Sequence, residues 1–119
     1  MSADSTLPPR EVVPELAAIG ITAFTTTRPA GDFALGDGEP LASGVRRWEQ
    51  LAGDLAPTSV RLASARQVHG ASVLVHADDF SGWRRVGNAD GHFTRAASTA
   101  LAITIADCVP VFLGHPSGA

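Results

Sequence analysis

The chain has one cysteine, one methionine and no tyrosine, and its nine Lys and Arg are outnumbered by twelve Asp and Glu. A lone cysteine closes no intramolecular disulfide, which fits a reducing cytoplasm. The mild acidity, with pI near 5.7, supplies no broad positive field, and the missing tyrosine thins any stacking platform, so nucleic acid is not an expected partner. No charged-then-apolar signal segment opens the chain, because residues 1–10 are polar and carry prolines. The longest apolar stretch, residues 100–113, is interrupted by Thr104, Asp107 and Pro110. It falls short of the roughly 20 residues that span a bilayer, so no membrane partner is expected and the stretch reads as buried sheet.

What is present describes an ordinary globular protein: 119 residues, 45% hydrophobic and 18% charged, enough for one core. Residues 1–15 read as a flexible leader that joins the fold around Leu16, leaving residues 16–119 as the domain. The β-branched run at residues 21–27 predicts a first strand, ended by the breakers Arg28-Pro29-Ala30-Gly31. Ser43 is placed to cap a helix carrying Val45, Trp48, Ala52 and Leu55 on one face, with Pro57 stopping it. Trp48 follows that stripe and so reads as core. Residues 60–65 and 73–75 predict two more strands, with Gln67-Val68-His69-Gly70 as a bend between them. Residues 78–91 read as polar turn. Residues 99–106 alternate most regularly, and the apolar run 109–113 follows, confined by Pro110 to an edge or a bulge. The fold class expected is mixed α/β (α+β), a mainly β core with covering helices, cut off before its sheet is complete.

Two places carry candidate chemistry. In Ala106-Asp107-Cys108-Val109-Pro110 a carboxylate and a thiol stand where two apolar runs meet, and a carboxylate there needs hydrogen bonds or a cation. Read alone, Asp107 caps a bend and Cys108 fills a small core position. In Gln67-Val68-His69-Gly70 the glycine lets the backbone turn and leave the imidazole facing a cavity. Together, His69 and Cys108 fit two chemistries: a thiolate nucleophile with a histidine base, or two ligands of a zinc ion that needs a third protein ligand. His76, His92 and His115 are candidates for the third, though no spacing compels any of them. With four histidines and no paired His-x-His segment, the chain is poorly suited to a multicopper oxidase centre. Arg28 at a strand end and Arg46-Arg47 early in the helix are the cations best placed for a phosphate or carboxylate. Asn88-Ala89-Asp90-Gly91 is a turn signature, and Thr94 beyond it offers a hydroxyl.

In this order, Gln67-Val68-His69-Gly70, Ala89-Asp90-Gly91 with Thr94, and Ala106-Asp107-Cys108-Val109-Pro110-Val111 resemble the bacterial YfiH family, also called the laccase-domain or polyphenol oxidoreductase family. Thr25-Thr26-Thr27-Arg28 resembles its early strand. The resemblance implies a zinc-dependent purine nucleoside phosphorylase with adenosine deaminase activity, with zinc rather than copper as cofactor and a purine nucleoside and phosphate as substrates. It implies His69 and Cys108 as metal ligands, Gln67 and Asp107 as catalytic residues around them, and Arg28 and Arg47 as substrate-binding residues. The likeness runs over about half the family's length and stops before its His-Ala-Gly-Trp-Arg-Gly segment, which holds the third ligand. Where the family has Asn-Arg early in the helix, this chain reads Arg46-Arg47-Trp48. A truncated and inactive chain, self-associating or seeking a complementary C-terminal half, is one alternative. A metal-free cysteine hydrolase using Cys108 and His69 is the other.

Overall fold

The computed structural model describes residues 7–35, 42–105 and 109–117. Within them the chain forms β1 (Arg10–Val12), α1 (Pro14–Ala17), β2 (Phe24–Thr26), a 3-10 turn at Arg28–Ala30, α2 (Ala42–Leu55), β3 (Arg61–Arg66), β4 (Val73–His76), β5 (Gly82–Asn88), β6 (Gly91–Thr94) and β7 (Thr99–Leu101). β1 and β2 pair antiparallel. β5, β3 and β7 form a parallel sheet in that order, and β4 and β6 form a separate parallel pair. The architecture is mixed α/β.

β3 is the middle of the larger sheet. Leu62, Ala63, Ser64 and Ala65 are buried in succession, as expected of a parallel strand covered on both faces. Three of the four are small, which allows close approach from either side. Leu62, 2% exposed, joins Leu35, Trp48, Leu51 and Leu55 in the core. The α2 residues among these recur at helical spacing, so one stripe of the helix lies on the core. Trp48 stacks on Trp83 of β5 with ring centroids 5.5 Å apart and planes 7° apart, and Phe33 meets it edge-on at 5.4 Å. Its indole N–H donates to the Phe33 carbonyl at 3.0 Å, and that of Trp83 donates to the buried Ser64 hydroxyl at 2.8 Å. Both polar handles are therefore satisfied inside the apolar cluster. Gly44 in the first turn of α2 is required by sterics, since a Cβ there would stand 2.5 Å from the Ala34 carbonyl oxygen.

Several expectations are corrected by tertiary pairing. Arg10–Val12, placed in the leader by sequence, pairs with Phe24–Thr26, so the chain meets the fold before Leu16. The first strand is accordingly shorter than residues 21–27. Ser43 lies inside α2 rather than capping it. Residues 78–91, read as turn, contain β5, because burying Trp83 against Trp48 outweighs the weak strand propensity of Gly, Arg and Asn. The pairing shifts register between Ser64 and Arg66, and Gly87, at φ 58°, absorbs the extra residue as a bulge. β7 ends at Leu101 rather than continuing to residue 106, and residues 109–113 form no strand. The prediction from this packing is that Leu62→Ala lowers unfolding free energy by about 2–5 kcal/mol, measured by urea denaturation, whereas an exposed change such as Val60→Ala costs far less.

Candidate functional site

The bend after β3 is built by a carboxylate. Asp90, between β5 and β6, accepts hydrogen bonds from three consecutive backbone N–H groups: Val68 at 3.2 Å, His69 at 3.0 Å and Gly70 at 2.9 Å. Successive N–H groups converge on one anion only when the backbone coils tightly, and His69 accordingly sits at φ 58°, in the left-handed region that non-glycine residues avoid. Asp90 is itself anchored: its own N–H and that of Gly91 donate to the Ser72 carbonyl, each at 3.2 Å, and the fully buried Ala89 donates to Arg66 at 2.9 Å. The Gly70 N–H first, then those of Val68 and His69, hold the Asp90 carboxyl below the usual carboxylate range. The result is an exposed His69 whose ring makes no hydrogen bond among the described residues.

Gln67 joins this bend to the chain beyond β7. Its amide Nε2 donates to the Thr104 carbonyl at 2.6 Å, while its Oε1 accepts from the Thr104 N–H at 2.6 Å and the Thr104 hydroxyl at 3.0 Å. The preceding ladder bond runs from the Ala102 N–H to the Ala63 carbonyl at 3.0 Å. Where β3 turns away at Gln67, its side-chain amide thus takes the place of a strand partner for the segment leading to Asp107 and Cys108. Those two residues lie outside the described residues.

The other candidates have separate surroundings. Arg28 opens the 3-10 turn and is exposed. Arg47 donates to the Asp32 carbonyl at 2.8 Å and packs on Gly31. Neither makes a hydrogen bond or ion pair with Gln67 or His69 among the described residues. His76 and His92 are engaged with each other, Nε2 to Nδ1 at 2.8 Å, with rings 5.0 Å apart. His115 Nδ1 is 2.8 Å from the Ser117 hydroxyl. Thr94 serves structure, donating to the His76 carbonyl at 2.7 Å. An open apolar groove of about 430 Å³ between α2 and β5 is lined by none of the candidate residues. Among the described residues no group of three His, Cys, Asp or Glu could hold a metal ion. A metal ion held at this bend would need His69 together with a donor outside the described residues; an imidazole nitrogen and a cysteine sulfur are donor types that zinc accepts.

The structure gives Asp90 a part that the sequence reading did not assign to it, holding the bend that carries His69. Its signal was an Asp-Gly pair read as a local turn, whereas the carboxylate bonds residues some twenty positions earlier.

The fold and the bend define a mixed α/β domain presenting, on a carboxylate-bound loop, an imidazole with no hydrogen bond among the described residues. Residues 32–119 match the family model described as multi-copper polyphenol oxidoreductase laccase, and the chain belongs to that family. No curated protein and no solved structure matches the chain significantly. No helix among the described residues is long and apolar enough to cross a membrane.

The site predicts that Asp90→Ala speeds hydrogen exchange at the amides of Val68, His69 and Gly70 by roughly tenfold or more, read by NMR, while the amides of β3 keep their protection. Replacing Gln67 by Leu should likewise raise exchange at Thr104 and leave Ala102 protected.

Proposed function

We propose that this chain carries part of a zinc-dependent purine nucleoside site, with His69 and Cys108 as metal ligands, acting in nucleoside phosphorolysis or adenosine deamination. The observation that supports it is the bend itself: three backbone N–H groups and a strained φ hold an imidazole exposed and, among the described residues, without a hydrogen-bond partner, an arrangement suited to a ligand and superfluous for a surface histidine. The Gln67 clamp supports the pairing, because it fixes the segment that runs on to Asp107 and Cys108 against the same bend.

A bound zinc ion supplies Lewis acidity and activates water at neutral pH. The chain's own part is to hold and to orient. His69 presents its ring from a loop that Asp90 keeps from relaxing. Gln67 spends both ends of its amide on Thr104, so its contribution is to position the neighbouring segment. Asp107, next to the thiolate, is the group available to hold or pass a proton. Arg28, exposed at the start of its turn and without a side-chain partner among the described residues, is placed to meet a phosphate, while Arg47 would have to leave the Asp32 carbonyl to do so.

A second reading, an assembly partner, rests on a different observation. Val73 and Val75 on β4 are 60% and 70% exposed, and Val109, Val111 and Leu113 are more exposed still, apolar side chains suited to self-association or to a complementary chain.

Zinc content of the purified chain and phosphate-dependent conversion of inosine test the first reading. Stoichiometric zinc, lost with turnover in His69→Ala and Cys108→Ala, is expected. Turnover that survives thorough chelation but disappears on thiol alkylation would instead assign a nucleophilic Cys108 with His69 as base. Absence of both metal and turnover, with a concentration-dependent rise in mass by light scattering, would favour the assembly reading.

A further inference from the structure

We infer that the His76–His92 pair is an acid-sensitive latch, holding β4 to β6 while neutral and loosening them, and with them the His69 bend, when both rings are protonated. The inference does not depend on what His69 binds.

The pair sits on the inner face of the β4–β6 sheet, where Leu74 is opposite His92 and His76 opposite Thr94. The outer face carries Val73, Val75 and Phe93, all exposed. His76 is 4% exposed, and the Nε2 of His92 is buried with no partner among the described residues. In the neutral pair one ring donates its N–H and the other accepts, giving the 2.8 Å contact between Nε2 of His76 and Nδ1 of His92. A first proton from solvent adds to the ring nitrogen outside this contact and leaves the hydrogen bond intact. A second leaves N–H facing N–H, so the bond is lost and two cations stand side by side. Both steps belong to the pair rather than to either ring.

The surroundings oppose charging. From β5, the Arg84 guanidinium adds positive charge near His76, and it is itself engaged with the Phe80 ring at 4.0 Å and with Asp78 at 3.5 Å. Asp78, beyond the end of β4, favours the charged form of His76. Burial first, and then Arg84, lowers His76 below its ordinary value. Burial first, and then His76, pushes His92 down to about 4. With folded values below the unfolded 6.5, the pair's stability is fully present above that pH and is lost as pH falls toward about 4.

The link to the bend is short. The β4–β6 ladder begins where Asp90 and Gly91 donate to Ser72, and Asp90 is the residue gripping Val68, His69 and Gly70. Asp90, held below the usual carboxylate range by the N–H groups it binds, keeps its charge to lower pH than an ordinary carboxylate.

The test is thermal unfolding between pH 7 and about pH 4 for the wild type and for His92→Gln, with amide spectra of residues 68–70 followed over the same range. The wild-type melting temperature should fall by roughly 5 °C or more as pH drops below 6.5, with the bend amides shifting as pH nears about 4, and His92→Gln should flatten both. A wild-type slope retained in His92→Gln overturns the inference. If that variant fails to fold, the wild-type imidazole Cε1–H signals decide: His76 and His92 titrating well below 6.5 support the latch, and ordinary titration at 6.5 overturns it.

Discussion

The double burial of β3 is the constraint on which the larger sheet, its covering helix and the placement of the bend depend. A strand enclosed on both faces must satisfy its peptide groups along both edges, because an unpaired buried N–H or C=O costs as much as the contacts around it provide. β5 and β7 supply those edges, in parallel register. Small residues in β3 let Trp83 reach Trp48 and let Ser64 receive the indole N–H. The aromatic stack then fixes α2 over the sheet.

Where β3 leaves the sheet, the same requirement produces the candidate site. Its edge no longer has a strand to offer, and the Gln67 side chain completes the pairing with Thr104. The next three peptide N–H groups, turned away from any ladder, are collected by one carboxylate. A polar bend at the end of a buried strand would otherwise leave its donors to water and its conformation undefined. Asp90 supplies acceptors and a charge together, which is why a non-glycine residue persists at positive φ there.

The smaller sheet couples to this bend through one corner. β4 and β6 meet at Ser72 and Gly91, next to Asp90, and their inner face holds two imidazoles that must remain mutually hydrogen-bonded to be buried without charge. An apolar outer face and a titratable inner face make this pair less securely held than β3. Protein surfaces that change with conditions are drawn from such weakly supported elements.

Local pattern determined a good deal. The α2 stripe, the cores of β3 and β4, Trp48 as a buried residue and the bend at His69 were legible because each rests on periodicity or on nearby Gly and Pro. The order of the His69, Asp90 and Cys108 motifs also pointed to the family that residues 32–119 match. Only tertiary structure decided that residues 82–88 form a strand, since the gain lies in Trp83 meeting a tryptophan on a distant helix. It likewise decided that Asp90 binds a loop rather than its own turn, that Gln67 acts as a strand edge, and that His76 and His92 bond each other. The physical reason is common to all of these: a side chain's hydrogen-bond partner or stacking surface is set by which strands lie side by side, and sequence spacing carries no record of that adjacency.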